Sequence, residues 1–381
     1  MSNLFRITQV LRPLKFWHIL QLTTLCMILT LVFKIYDNWK DIMGHWEPVI
    51  IYWPPTLNNI SCHLSNDDDD VLPSAEDPAF APAPNSIFFH ETSCRGGITS
   101  RQACSVESAA RAHPQRQVYL LFNSPVKYKI LRSSCLAKLL QYPNIKIARV
   151  HSYEYSKNTL VYTIVKDQLW KSLHPIQHAA DLMRMVTLNK WGGVYLDLDI
   201  IVVKSLDSLP KNWIAKESIS ELSSGVMGFS NEGIGKNITD KVLSDIYLHY
   251  DRYSWSYNGP QAIERVLKTY CPITVKNYGN CNGVSIFRPQ YFYPVNYQWT
   301  HLYFQDGVSI FMPKYFFPVS NIWTHSYFKD GTINLSAIPF THHFWDLMTK
   351  IYKVGKRSPY AQLAQKYCPY IYQMYGHQFG V

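Results

Sequence analysis

Trp191-Gly192-Gly193-Val194-Tyr195-Leu196-Asp197-Leu198-Asp199 decides the reading of this chain. The hydrophobic run from 194 to 203 is interrupted only by two aspartates. Side chains on a strand repeat with a period of two, so the i, i+2 spacing puts both carboxylates on one face of a strand or of its exit. Two negative charges held side by side repel unless a cation lies between them, and hard carboxylate ligands suit Mg²⁺ or Mn²⁺. A pair of solvated aspartates at a strand end is the plain alternative. Leu196, Leu198, Ile200, Ile201 and Val202 argue instead for a buried strand.

Upstream, Pro175 opens a helical stretch at 176–190, which Gly192-Gly193 closes as a C-cap. Before it, 87–89, 118–122 and 145–150 read as strands, and 102–112 and 131–140 as helices. Alternation of strand and helix predicts the α/β class with a central, mostly parallel sheet. In such sheets ligands gather at the carboxyl ends of the strands, where Asp197 and Asp199 would sit. On the preceding helix Asp181 and Arg184, at i, i+3, share one face. They form either a surface ion pair or part of the same site.

The rest of the chain narrows its class. Among 381 residues, 47% are apolar, enough for one large domain or two. The net charge is +10, but the lysines and arginines are scattered among 27 Tyr, 18 Phe and 11 Trp with no dense basic run. That pattern argues against nucleic acid and for an anionic small-molecule donor or a membrane surface. Residues 17–33 are uncharged and apolar, preceded by Arg6, Arg12 and Lys15. We read a cytosolic tail at 1–15, a transmembrane signal anchor at 16–34 and a lumenal remainder. A cleaved signal peptide is the rival, but no small-x-small site follows Phe33. Acids and prolines at 35–85 predict a flexible stem, with the Asp67–Asp70 run a solvated one. The globular domain is expected at 86–381. Seven cysteines lie beyond the anchor, predicting two or three disulfides and at least one free thiol. Asn59, Asn237 and Asn334 head glycosylation sequons.

Residues 283–306 and 307–330 are two abutting 24-residue blocks identical at 16 positions. They read as a duplicated exon or as two alternative exons joined, and a surplus copy between Gln261 and His343 threatens to misplace the latter.

Ala180–Asp199 (ADLMRMVTLNKWGGVYLDLD) resembles the core motif of the α-1,4-glycosyltransferase family, which includes lactosylceramide 4-α-galactosyltransferase and α-1,4-N-acetylglucosaminyltransferase. Ile87–Ser93, Cys104–Pro114, Gly259-Pro260-Gln261, Tyr293-Pro294-Val295, Trp345 and Tyr367-Cys368-Pro369 follow in the family's order. The resemblance implies a GT-A-like nucleotide-sugar-binding fold, a UDP-sugar donor, Mn²⁺ or another divalent cation, and retention of anomeric configuration. It implies that Asp199 ligates the metal directly, Asp197 through water, and His343 as a third ligand, with the adjacent His342 able to take its place. It puts Asp181, Arg184 and Tyr195 near the donor sugar or phosphate. Phe89, Thr92 and Ser93 fall near uracil, and Gln261 near the transition state or acceptor. Ser224-Gly225 stands where the family often has Asn-Gly, and Asp346 replaces an asparagine.

The implied function is transfer of galactose, N-acetylgalactosamine or N-acetylglucosamine in α-1,4 linkage to a glycosphingolipid or related glycan, by a single-pass type II Golgi membrane protein. Homo- or hetero-oligomers with other glycosyltransferases are a further expectation. An inactive glycan-binding relative and a UDP-sugar hydrolase are the alternatives. No carboxylate compels a covalent intermediate; Glu91, Glu107 and Asp251 have no place from sequence, and same-face attack is preferred.

Overall fold

The computed structural model describes residues 21, 24–25, 27–32, 34, 59–64, 69–218, 220–271, 278–304, 306, 328–329, 332–333 and 339–380. The chain divides into two units, Met1–Tyr52 and Trp53–Val381. In the first, the described residues between 21 and 34 are helical. Most of the expected anchor lies outside the described residues; among those described, no helix is long and apolar enough to cross a membrane.

The second unit is built on an eight-stranded sheet in the order β3-β2-β1-β4-β7-β6-β9-β8. The strands are β1 (Ile87–Glu91), β2 (Val118–Phe122), β3 (Ile145–Arg149), β4 (Gly193–Leu196), β6 (Trp213–Lys216), β7 (Leu222–Phe229), β8 (Gly279–Cys281) and β9 (Val284–Phe287); β5 (Ile200–Val202) lies outside it. The β3-β2-β1-β4 half is parallel, as the alternation of elements predicts. The other half is mixed: β7 runs antiparallel to both β4 and β6, and β9 is parallel to β6.

Alternation along β1 explains the layers. Ile87 and Phe89 enter one apolar layer with Val106 and Ala109 of helix α1 (Ser100–Ala112). Phe88 enters the other with Leu182, Met183 and Val186 of the later helix α4 (Pro175–Trp191). Helix α1 starts at a capping box in which Thr99 and Gln102 satisfy each other's backbone N–H groups. The expected helix at 131–140 is two short ones, α2 (Tyr128–Ser133) and α3 (Cys135–Leu139). Ser134 is extended between them, and its hydroxyl caps the second by accepting from Leu136 N–H. Serine's competing local hydrogen bond is the reason for the break.

Helix α4 spans Pro175–Trp191. Gly192 takes φ 67° and donates its N–H to Leu188 O. Gly193 follows at φ 94°, where a Cβ would run into the Ser86 carbonyl. The diglycine thus ends the helix and lets β4 enter beside β1.

The aspartates lie at the exit of the strand rather than within it, one of the two placements their spacing allows. β4 stops at Leu196, and Asp197-Leu198-Asp199 form a turn before β5. β5 then leaves the large sheet to pair antiparallel with β12 (Thr341–His343); a two-residue ladder, β10 (Phe328–Lys329) with β11 (Thr332–Ile333), precedes it.

Three disulfides form, Cys62–Cys94, Cys104–Cys368 and Cys271–Cys281, and Cys135 is a buried free thiol. Cys104–Cys368 ties α1 to the turn between α8 (Pro359–Tyr367) and α9 (Pro369–Tyr375). At the same seam Glu107 accepts from Tyr142 OH and from the N–H groups of Tyr370 and Ile371, a structural role.

The stem reading needs correction at its C-terminal end. Residues 69–85 are held against the domain rather than free. Asp70 pairs with the buried Arg149 at 3.1 Å, so it is no solvated charge, whereas Asp69 stays exposed. Glu76 pairs with His151 at 2.9 Å, and His63 hydrogen-bonds to Thr92 O. Composition marks charge and proline but not the buried cation that recruits an acid.

Replacing Cys104 and Cys368 together by serine is expected to cost about 2–5 kcal/mol, read as a lower unfolding temperature without change in the other two disulfides.

Candidate active site

The turn after β4 brings together what the spacing of the aspartates suggested. Ligand atoms of Asp197, Asp199 and His343 all lie within 4.8 Å of one another. His343 Nε2 is 3.2 Å from Asp199 Oδ1 and 4.0 Å from Asp197 Oδ2. His343 arrives because β12 pairs with β5 in the register His343↔Ile200. Successive residues of a strand face opposite ways, which settles the choice between the two histidines. His342 turns inward, its Nδ1 2.7 Å from Tyr303 OH, and burial lowers its pKa to about 3.

Each acid is positioned differently. Asp197 N–H donates to Gly225 O at 2.8 Å, and its Oδ1 accepts from Tyr195 OH at 2.7 Å. Arg184 Nη2 lies 3.4 Å from Asp197 Oδ1 and 3.4 Å from Asp181 Oδ1. Arg184 also donates to Ser224 O at 2.7 Å and to Ser224 Oγ at 3.0 Å, and its guanidinium lies 4.7 Å from the Tyr195 ring centre. Asp199 Oδ2 accepts from Asp346 N–H at 2.7 Å, while Oδ1 is buried without a hydrogen-bond partner.

These contacts split the pair electrostatically. Burial pushes Asp197 up, but Arg184, His343 and Tyr195 outweigh it and leave its pKa lowered. Asp199 lacks the guanidinium, so burial prevails over His343 and its pKa is raised. Burial would lower His343, but Asp199 and Asp197 prevail and raise it. Asp181, fully buried, is raised to about 7 by burial against the pull of Arg184. Its Oδ2 has no hydrogen-bond partner, and the backbone of Gly259 packs so closely on it that a Cβ there would collide with the carboxylate.

The donor set fits a divalent cation. Two carboxylates and an imidazole converge, and the orphaned Oδ1 of Asp199 faces the histidine. Trp345 N–H lies 3.2 Å from His343 Nδ1, and the Tyr293 and Trp345 rings stand 5.1 and 4.4 Å from the imidazole.

Other expected residues are placed less directly. Arg184, Asp181 and Tyr195 are buried, forming a support beneath the acids rather than an open rim. Ser224 and Gly225 lie on β7 beside them, and a Cβ on Gly225 would stand 2.6 Å from Asp197 Oδ2. Gln261 is exposed at the start of α6 (Pro260–Tyr270), its amide donating to Ser256 Oγ. Phe89 is fully buried in the sheet core; Thr92 donates to Ile176 O, and Ser93, partly exposed, donates to Glu91. Of the acids without a place from sequence, Asp251 accepts from Tyr253 N–H, and Glu91 is engaged by Ser93 and Arg95.

Sequence reading missed Glu217. It follows β6, hydrogen-bonds Ser223, and faces His343 and Asp197; burial raises its pKa to about 7, Glu221 adding to the rise and His343 opposing it. Ser223 Oγ also accepts from Tyr293 OH at 2.6 Å. A glutamate between Lys216 and Ser218 carries no periodic or motif signal. Only the antiparallel β6–β7 pairing brings it here.

The family described as "Alpha 1,4-glycosyltransferase conserved region" matches residues 231–307 and again 304–375. "Glycosyltransferase sugar-binding region containing DXD motif" matches 99–219. Lactosylceramide 4-alpha-galactosyltransferase of Rattus norvegicus is 33% identical over 59% of this chain and 62% of its own length. That of Pongo pygmaeus is 30% identical over 43% of this chain and 75% of its own. Alpha-1,4-N-acetylglucosaminyltransferase of Homo sapiens is 24% identical over 57% and 65%. A solved galactosyltransferase with donor and acceptor sugar analogs aligns at a TM-score of 0.41, with 15% identity over 76% of this chain and 95% of that one.

Gly225→Ala is expected to displace the Asp197 carboxylate and weaken divalent-cation binding at least roughly tenfold, measured by titration calorimetry. Cation binding must also displace protons from His343, raised above 6.5, and from Asp199. Affinity is therefore expected to fall as pH falls through and below that range; equal affinity at about pH 5.5 and about pH 8 would contradict the ligand set.

Proposed function

The chain belongs to the α-1,4-glycosyltransferase family, and from that premise we propose that it transfers a hexose from a UDP-sugar, with retention, in α-1,4 linkage to a glycosphingolipid or related glycan. The observation that carries the reading is the Asp197–Asp199–His343 cluster, in which a buried Asp199 oxygen without a hydrogen-bond partner faces the imidazole at 3.2 Å, set on the buried Arg184. We read the domain as GT-A-like, carried in the Golgi membrane by the anchor at 16–34.

Asp199 and His343 would hold Mn²⁺ or another divalent cation directly, and Asp197 through water. When bound, the ion neutralises charge that develops on the diphosphate as the anomeric C–O bond breaks. The protein's own part is positional. Arg184 holds Asp197 ionised and fixed; Asp346 N–H fixes one oxygen of Asp199. Gly259 seals the buried Asp181 from above, and Gln261, exposed at the start of the same helix, is left as the contact for the incoming hydroxyl. Ser93, at the β1 exit, is left as the accessible contact for uracil, with Phe89 and Thr92 behind it.

Retention allows a covalent glycosyl-enzyme or same-face attack. Glu217 is the carboxyl group facing the cation site without ligating it. Its raised pKa makes it a poor nucleophile at neutral pH and a suitable hydrogen-bond partner for a sugar hydroxyl. Same-face attack, with the leaving phosphate as base, remains our reading. The donor's identity is open between galactose and an N-acetylhexosamine, and Ser224 in place of asparagine bears on that choice.

Asp199→Ala is expected to abolish Mn²⁺-dependent turnover of a UDP-sugar panel while leaving the unfolding temperature within a few degrees; wild-type rates would refute the metal assignment. Glu217→Gln is expected to lower kcat about 10–100-fold with little change in donor KM. A loss beyond about 10⁴-fold with a trapped glycosyl-enzyme would assign it as nucleophile instead.

A further inference from the structure

The segment that closes the metal side of the site carries a surface that the proposed chemistry does not use. After Trp345 the chain forms α7 (Asp346–Thr349) and a turn running to Arg357. Four large apolar side chains stand out of it: Leu347 is 36% exposed, Met348 44%, Ile351 57% and Tyr352 37%. Their i, i+1, i+4, i+5 spacing groups them on one side of the turn. Lys350 lies among them, and Lys353, Lys356 and Arg357 follow. Between 347 and 357 there is no acid. The one acid at the border, Asp346, lies 3.5 Å from Arg101 and also acts on Lys350, so Lys353, Lys356 and Arg357 carry most of the outward positive charge.

This knuckle is fixed in place. Thr349 is buried and donates to Phe344 O at 2.8 Å. Arg101 donates to Thr349 O at 2.9 Å and to Tyr352 O, with its guanidinium 4.4 Å from the Phe304 ring centre. Gly355 N–H reaches Phe304 O, and Arg357 N–H reaches Asp306 Oδ1 at 2.6 Å. The same segment donates Asp346 N–H to Asp199. The apolar face therefore keeps a set position relative to the cation ligands.

Exposed aliphatic and aromatic tips ringed by lysines, with no acid among them, are suited to the boundary of a bilayer. The tips enter the headgroup layer while the ammonium groups stay with anionic phosphates. The geometry points to the Leu347–Arg357 knuckle as a docking surface for an anionic bilayer, presenting the Asp197–Asp199–His343 site to an acceptor glycolipid in that same membrane. Charge complementarity selects this occupant over a protein or a second copy of a basic chain. The inference rests on the glycolipid-acceptor reading above.

The test uses the full chain reconstituted in phosphatidylcholine vesicles with or without phosphatidylserine. Ile351→Cys, in a Cys26→Ser background, carries an environment-sensitive fluorophore. Quenching by a lipid-borne nitroxide is expected with phosphatidylserine present. It should be relieved by high salt and by Lys350→Glu/Lys353→Glu/Lys356→Glu. No quenching in either vesicle overturns the proposal. So does shielding of the probe from iodide in detergent without vesicles, which would mean that the chain's own 307–330 segment covers the face. In parallel, Leu347→Ser/Met348→Ser/Ile351→Ser is expected to lower kcat/KM roughly tenfold for lactosylceramide in vesicles and leave free lactose unaffected; equal loss on both acceptors overturns the docking role. If the unsubstituted enzyme uses neither acceptor, the acceptor reading fails, and the probe signal still judges the surface.

Discussion

One buried cation organises the site. Arg184 is almost fully enclosed, and desolvating a guanidinium is tolerable only when acids and carbonyls surround it. Asp181, Asp197 and the Ser224 carbonyl supply that surround, and in doing so join α4, the turn after β4 and β7. Losing the cation would leave the buried Asp181 and the partly exposed Asp197 without their countercharge, a strongly destabilising change. The arrangement also explains why two aspartates two residues apart behave differently. Asp197 has its countercharge within the protein. Asp199 has a backbone N–H on one oxygen and nothing but a histidine beside the other, so its negative charge is left for an external cation.

Close approach is the second constraint, and it falls on glycines. Gly193 lets β4 slide against Ser86, Gly225 lets β7 pass under Asp197, and Gly259 lets the start of α6 touch Asp181. Each sits where a methyl group would meet an atom of the site or of the sheet beside it. The family's Asn-Gly and Gly-Pro-Gln segments thus read as packing requirements as much as substrate contacts.

What the sequence made legible follows from range. The helix at 176–190, the diglycine stop, the strand at 118–122 and the aspartate pair are local patterns, and they stand where expected, α4 with one extra residue at each end. The pairing of β5 with β12 is not local. It is set by a switch of partners at the Asp197–Asp199 turn that periodicity does not encode. The same holds for β7, whose antiparallel insertion between β4 and β6 brings Glu217 to the site. His343 was reachable only through family likeness, because two adjacent histidines look alike until a strand direction separates their faces. Asp70 looked like one of four solvated acids; only Arg149, buried on β3, distinguishes it.

The tandem block tests how firmly the third ligand is held. The first copy fills structural positions: β9, Tyr293 beside His343, and the helical turn Tyr297–Phe304. It also anchors the strand that carries the histidine, since Phe340 N–H donates to Tyr291 O and Thr341 Oγ1 to Phe292 O. Most of the second copy, 307–327, lies outside the described residues. The conserved-region match that ends at 307 and begins again at 304 reflects the same repetition. Both ends of the intervening stretch are therefore pinned, at Asp306 by Arg357 N–H and at Phe340 by the β12 register. Lengthening a loop between two fixed ends adds only ~0.6 kcal/mol for each doubling of its length. An extra 24 residues there cost far less than the contacts that seat β12, so the surplus copy does not by itself pull His343 away from Asp199.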